Sequence, residues 1–261
     1  MSVSSTLKKI SLGWIDYRKH CEAKNVKGHD IHKVKQDHEI HKIVTNDWQE
    51  DVSSKINLNK YKVESSVGKG NLVAGPWLVV MDQSITEAPT EGYYVVYLFS
   101  RSASKLYLSI GIGGTQFQDI YGVTQEAVDK MELFANDFNK TFNKYKPHSS
   151  SAKVELLEDH LDFEKPLTGS SRNLNLLFEK GTIFAKEYDL KNLSDAELDD
   201  DLIKYINVYN NIANDPKSEN FDIAAESLMD DEISKDKSNK DKIEFDYDVK
   251  NSSQKKKFKN R

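Results

Sequence analysis

Four short runs between Tyr61 and Thr115 constrain this chain more than any other feature. Tyr61–Ser65, Trp77–Asp82, Tyr93–Phe99 and Leu106–Ile112 carry Val, Tyr, Ile and Phe, and Gly, Ser or Pro lies between them. β-Branched and aromatic residues fit a pleated surface, while Gly and Pro interrupt it, so these runs read as strands. A Gly68-Lys69-Gly70-Asn71 turn follows the first run, Pro76-Trp77 enters the second and Gly92-Tyr93-Tyr94 starts the third. Ser100-Arg101-Ser102-Ala103-Ser104 is a hairpin connection between the last two.

Outside that block the period changes to that of helices. Leu7, Ile10, Trp14, Tyr17 and Cys21 recur at spacings of three and four, which predicts an amphipathic first helix. A segment rich in His and Lys, Lys24 to Lys42, precedes a shorter helix expected over Asp47–Ile56. Ala127, Met131, Phe134, Phe138, Phe142 and Tyr145 form one stripe of a long helix that Pro147 should stop. Val154–Phe163 and Gly181–Leu190 read as further strands, joined by a polar loop with Gly169-Ser170-Ser171-Arg172. Ser194-Asp195-Ala196-Glu197 matches a capping box that opens a last helix with Leu198, Leu202, Tyr205, Ile206 and Tyr209 on its apolar face. The class expected is α/β (α+β), a mixed twisted β-sheet flanked by helices.

After about Asn214 no apolar period survives. Acidic clusters alternate with Lys and Ser as far as Lys255-Lys256-Lys257-Phe258-Lys259-Asn260-Arg261. The expected organisation is therefore a folded domain over 1–213 and a disordered charged tail over 214–261. A net charge of -5 argues against a uniformly basic coat but allows a local basic face. Cys21 is the only cysteine, which excludes an intrachain disulfide and a multi-cysteine zinc site. No stretch approaches the ~20 apolar residues that span a bilayer, so a cytoplasmic setting is expected.

Several chemistries lack their residues. There is no phosphate-loop motif, no H-E-x-x-H and no G-x-S-x-G. Gly111-Ile112-Gly113-Gly114 lacks the spacing and the following helix of a dinucleotide fingerprint, and marks a bulge or close backbone packing instead. Asp16, Glu22 and Lys24 loosely match a metal-dependent nuclease set, but they sit on or just past an amphipathic helix and should not converge on an ion. His29, His32, His38 and His41 read as a solvated, partly cationic segment rather than a metal site. With Lys24, Lys27, Lys33, Lys35 and Lys42 that segment could contact DNA phosphates. No cofactor and no metal are expected.

The block from Lys60 to Thr115 resembles the N-terminal DNA-binding domain of McrB-type modification-dependent restriction proteins. The resemblance extends less specifically from Leu7 to Ala213. In that family an aromatic at the Pro-Trp position, a tyrosine at the Gly-x-Tyr position and a leucine four residues later line a pocket for a flipped base. Here these are Trp77, Tyr94 and Leu98, with Phe178 the nearest match to a further pocket aromatic. Tyr94 and Leu98 share one strand face, and any of these residues taken singly would fit a core as well. The family's intercalating aromatic corresponds to Lys69, which cannot stack as an aromatic does, so the resemblance carries modified-DNA binding further than flipping.

What the resemblance implies is a non-catalytic reader of modified cytosine, 5-methylcytosine first, in double-stranded DNA, within a type IV-like restriction system that serves phage defence. Gly68, Lys69, Gly70, Asn71, Arg172 and Lys180 would approach the backbone or groove, whereas Arg101 and Lys105 are explained by a solvated hairpin. An HNH nuclease or AAA+ GTPase module follows the reader in relatives, and no membrane partner is implied. The alternatives are an interaction module that recruits a nuclease subunit and a nucleic-acid binder indifferent to modification.

Overall fold

The strand-forming runs pair in the order in which they occur. The computed structural model describes residues 2–23, 34–68, 73–150, 152–158, 167–219 and 221. In it β1 (Tyr61–Ser66), β2 (Trp77–Asp82), β3 (Tyr93–Phe99), β4 (Leu106–Ile112) and β5 (Thr182–Tyr188) form one sheet in sequence order. Every neighbouring pair is antiparallel. Helices flank this sheet, and the class is α+β as expected. β3 and β4 are buried along their whole length, because both faces of the sheet are covered.

Helices cover the first face. α1 (Val3–Ala23) buries Leu7, Ile10, Trp14, Tyr17 and Cys21, the stripe read from the sequence. Each large apolar side chain fully buried in this way contributes roughly 1.5–3 kcal/mol. α2 (Glu39–Lys42), a π-helical turn (Ile43–Asp47) and α3 (Trp48–Ser53) follow one another without a break, so the helix expected over Asp47–Ile56 starts at Glu39 instead. Trp48 N–H donates to Ile43 O, five residues back, and this wider turn accompanies burial of Ile43, Val44, Trp48 and Val52. The Trp48 ring lies 6.2 Å from Tyr97 and 5.7 Å from Phe99.

α4 (Thr115–Tyr121) follows β4, and α5 (Gln125–Phe142) carries the expected long stripe, ending in a 3-10 turn at Asn143–Tyr145 before Pro147. α6 (Gly169–Lys180) and α7 (Asp195–Ala213) complete the helices used below. Tyr93 on the first face meets Phe138 of α5 at 5.3 Å and Tyr209 of α7 at 5.6 Å. At the start of α7, Ser194 holds the cap position but its side chain makes no capping hydrogen bond. The capping box is not formed. Glu197 pairs with Lys186 at 2.7 Å, and Asp195 accepts from the Ser4 backbone N–H at 2.8 Å, tying α7 to the start of α1.

Two expectations about the second face need correction. Gly169-Ser170-Ser171-Arg172 is the first turn of α6 and not a loop. Residues 154–158 of the strand expected over Val154–Phe163 are not strand, and 159–163 lie outside the described residues. The segment meets β5 through Ala152 N–H to Ala185 O at 3.1 Å, and Glu158 has φ of 52°, which extended pairing does not allow. Val154 and Leu156 nevertheless pack on this face with Val79, Tyr94, Val96, Leu98 and Tyr107. Backbone contacts divide the chain into Met1–Asp215 and Pro216–Arg261, and the tail from 222 onward is outside the described residues.

Candidate functional site

On the second face, at the open end of β2, the sheet and α6 enclose a cavity of about 150 Å³. Trp77 and Leu98 are Cα partners across β2 and β3, and Tyr94 lies four residues before Leu98 on the same face. Phe178 comes from α6 and Leu156 from the irregular segment after α5. Trp77, Tyr94, Leu98 and Phe178 thus all line one cavity, although they are spread over some hundred positions of the chain. Tyr94 and Leu98 are buried, while Trp77 and Phe178 are half-buried. An apolar cavity of ~150 Å³ admits a ring the size of benzene.

Glycines set this geometry. A Cβ at Gly75 would sit 2.1 Å from Phe99 O, so only glycine lets the Gly75-Pro76 entry press against the end of β3. Phe99 N–H then donates to Pro76 O at 3.0 Å, which fixes where Trp77 begins. A Cβ at Gly113 would lie 2.4 Å from Glu91 N. The glycine run is therefore close packing, and the helix expected to be missing after it is present as α4. It follows an antiparallel strand of a meander, so no dinucleotide crossover arises. Tyr94 donates its O–H to Pro89 O at 2.9 Å, and burial pushes its phenol far above the ordinary range, keeping it a neutral donor.

The wall opposite the sheet is clamped through carboxylates. Glu158 accepts from Ser102 N–H at 2.9 Å, Ser102 Oγ at 2.6 Å and Ser104 Oγ at 2.8 Å. Arg101 N–H donates to Leu156 O at 2.8 Å, and Leu156 N–H donates to Glu179 Oε2 at 2.9 Å. Glu179 therefore joins α6 to the segment that carries Leu156. Burial raises the Glu179 carboxyl above the usual glutamate range, against the lowering effect of the Leu156 and Leu157 backbone donors and of the Lys180 charge. The hairpin is not solvated at Arg101, which is 6 % exposed, and Lys105 pairs with Glu155 at 2.8 Å.

The cationic candidates are distributed unevenly. Lys69, Gly70 and Asn71 lie outside the described residues, as do Lys24, Lys27, Lys33, His29 and His32. Gly68 has φ of 97°, a conformation glycine adopts freely, and its carbonyl accepts from Lys35 Nζ at 2.8 Å. Lys35 is 1 % exposed and burial lowers its pKa, so it holds the Gly68 carbonyl instead of facing a phosphate. Lys42 is exposed on α2, and Arg172 is half-buried in the first turn of α6. Lys180 is held by Glu132 at 2.6 Å, so a phosphate there would exchange for that carboxylate.

Among the described residues the candidate histidines and acids form no ligand set. His38 caps α2 by accepting from Ile40 N–H at 3.2 Å and packs 5.2 Å from the rings of Tyr17 and His20. Burial, then neighbouring His20, lowers its pKa, so the segment is not simply solvated here. His41 instead contacts Thr45. Asp16 and Glu22 are exposed on α1, roughly 120° apart about its axis. Among the described residues no three His, Cys, Asp or Glu side chains group as metal ligands. Sequence reasoning missed Leu156 and Asn175 as cavity residues. Leu174, Leu177 and Phe178 carry the three-and-four spacing that would have shown the helix and placed Asn175 beside Phe178.

These features define a class: an α+β domain in which one sheet face and a helix enclose a ring-sized, aromatic-walled cavity. The chain belongs to the MrcB-like N-terminal domain family, whose model matches residues 24–214. That is a DNA-binding, non-catalytic domain family of restriction systems. No curated protein matches the chain. Among the described residues no helix is long and apolar enough to cross a membrane.

Proposed function

We propose that this chain reads modified cytosine in double-stranded DNA for a modification-dependent restriction system and holds the base, 5-methylcytosine first, flipped into the cavity. The observation that carries this reading is the convergence of Trp77, Tyr94, Leu98 and Phe178 on one ring-sized space. In duplex DNA the 5-position of cytosine lines the major groove, while stacking and pairing cover the ring faces and the Watson–Crick edge; extruding the base exposes its whole outline to a pocket. Flipping costs a few kcal/mol, and stacking on aromatic faces returns about 1–3 kcal/mol per base. Trp77 and Phe178 supply those faces, Leu98 meets the ring edge, and Arg172 approaches the backbone. The chain performs no cleavage in this reading and passes the signal to a nuclease or AAA+ GTPase effector.

The test is fluorescence anisotropy of the full chain on one duplex sequence carrying cytosine or 5-methylcytosine, at two salt concentrations. Preference for the methylated duplex should persist at the higher salt, because pocket contacts release no counterions whereas phosphate contacts do. Equal binding that collapses with salt would leave a general nucleic-acid binder. Absence of DNA binding would return the chain to a protein-interaction role.

A further inference from the structure

Asn175 lies three residues before Phe178 on α6 and lines the same cavity. The other lining side chains with hydrogen-bonding groups are Trp77, Thr90, Tyr94 and Thr115. Tyr94 already donates to Pro89 O. The threonine hydroxyls rotate and serve as donor or acceptor alike, so they separate ligand edges poorly. Asn175 differs because a hydrogen bond sets its preferred orientation. Its Nδ2 donates to the Ser171 carbonyl at 2.7 Å. A carbonyl only accepts, so the nitrogen faces Ser171 and turning the amide over would lose this bond. One N–H is thereby engaged, and Oδ1 with the second N–H remains.

We infer that Asn175 selects cytosine against thymine by reading the Watson–Crick edge of the base, an inference that rests on the pocket reading above. Cytosine presents its N4 amino donor beside the N3 acceptor. The remaining Asn175 groups, an acceptor beside a donor, complement that order. Thymine presents O4 and N3–H, the reverse order. Turning the amide to suit thymine would set Oδ1 against the Ser171 carbonyl, two acceptors face to face. The distinction matters because thymine carries the same ring and the same 5-methyl group as 5-methylcytosine. Walls made of Trp77, Leu98 and Phe178 cannot separate the two, and a pocket that sensed only the methyl would be occupied by ordinary thymine.

The experiment compares the full chain on three duplexes that differ at one position: 5-methylcytosine·G, cytosine·G and thymine·G. A mismatched thymine unpairs more readily than a paired cytosine, so any preference for 5-methylcytosine over it must come from the pocket. The wild-type chain should bind 5-methylcytosine·G about tenfold or more tightly than thymine·G, the size of one bidentate base contact. Asn175→Leu, which keeps the branched outline and loses the hydrogen bonds, should bring those two duplexes within about twofold. Its preference for 5-methylcytosine over cytosine should survive. Asn175→Asp, which has acceptors only, is the second variant and should lose the thymine discrimination likewise. Methyl preference with unchanged thymine discrimination in both variants overturns the inference alone. A wild-type chain that does not favour 5-methylcytosine over cytosine overturns the pocket reading and this inference together.

Discussion

Tyr94 on β3 and Gly111 on β4 are Cα partners, and a Cβ at position 111 would lie 3.0 Å from Tyr94 Cε2 and 2.8 Å from Val96 Cγ1. The absent side chain leaves room for the Tyr94 ring over the sheet at the back of the cavity. Gly111→Ala should push that ring and Val96 toward the cavity, as overpacking does, and cost about 1–3 kcal/mol of stability. Urea unfolding measures the loss. On the methylated duplex the folded variant should bind more weakly than wild type, because the cavity has no volume to yield. Unchanged stability would mean that Tyr94 has freedom the packing does not suggest.

Trp77 offers the simplest separation of pocket from core. It is half-buried, so Trp77→Ala should fold, with far-ultraviolet circular dichroism close to wild type. Loss of one stacking face should weaken binding to the methylated duplex by about 1–3 kcal/mol while sparing most of the salt-dependent affinity for unmodified DNA. Equal losses on both duplexes, or unfolding, would make Trp77 a core residue and remove one wall from the proposed site.

Lys180 and Glu132 form an ion pair at 2.6 Å at the end of α6 that adjoins Phe178. A half-exposed pair near the surface is worth about 0–1 kcal/mol. If Lys180 contacts a phosphate, Glu132→Gln should free the ammonium and raise DNA affinity by up to about fivefold at low salt, with the gain shrinking as salt screens it. An affinity indifferent to Glu132 at every salt concentration would assign Lys180 to the helix surface alone.

The strands of the central block were legible because β-branched and aromatic runs stood between glycines and prolines, and α1, α5 and α7 because their stripes repeat at three and four. Other elements were obscured by local chemistry that tertiary contacts overrode. Gly169-Ser170-Ser171 looks like loop chemistry, yet Leu174, Leu177 and Phe178 draw it into a helix against the sheet. Val154 and Leu156 suggested a strand because they alternate, but the alternation serves a single layer of packing held by Glu158 and Glu179. Ser194 and Glu197 have the spacing of a capping box, and the ammonium of Lys186 outcompetes it for Glu197. At the candidate site, Trp77, Tyr94 and Leu98 could be named from the family pattern. Leu156 could not, because its place depends on a long-range clamp that no local window contains, and Asn175 was hidden only by the loop chemistry at the start of its helix.

Glu179 makes that clamp sensitive to pH. Burial raises its pKa above the ordinary 4.5, so the folded chain holds this proton more tightly than the unfolded chain. The resulting stabilisation is complete below the unfolded value and is lost as pH rises through the raised one. Glu179→Gln keeps an oxygen for the Leu156 N–H and cannot ionise, so it should flatten that part of the stability profile. Urea unfolding from about pH 4 to pH 8 reads the difference. Glu179→Ala removes the acceptor altogether and should cost about 1–3 kcal/mol by leaving the Leu156 N–H unsatisfied. Because Leu156 and Phe178 are held through this residue, the alanine variant should also bind the methylated duplex more weakly, and the glutamine variant should recover that binding. Failure of glutamine to recover it would show that the charge, and not the hydrogen bond, sets the wall of the cavity.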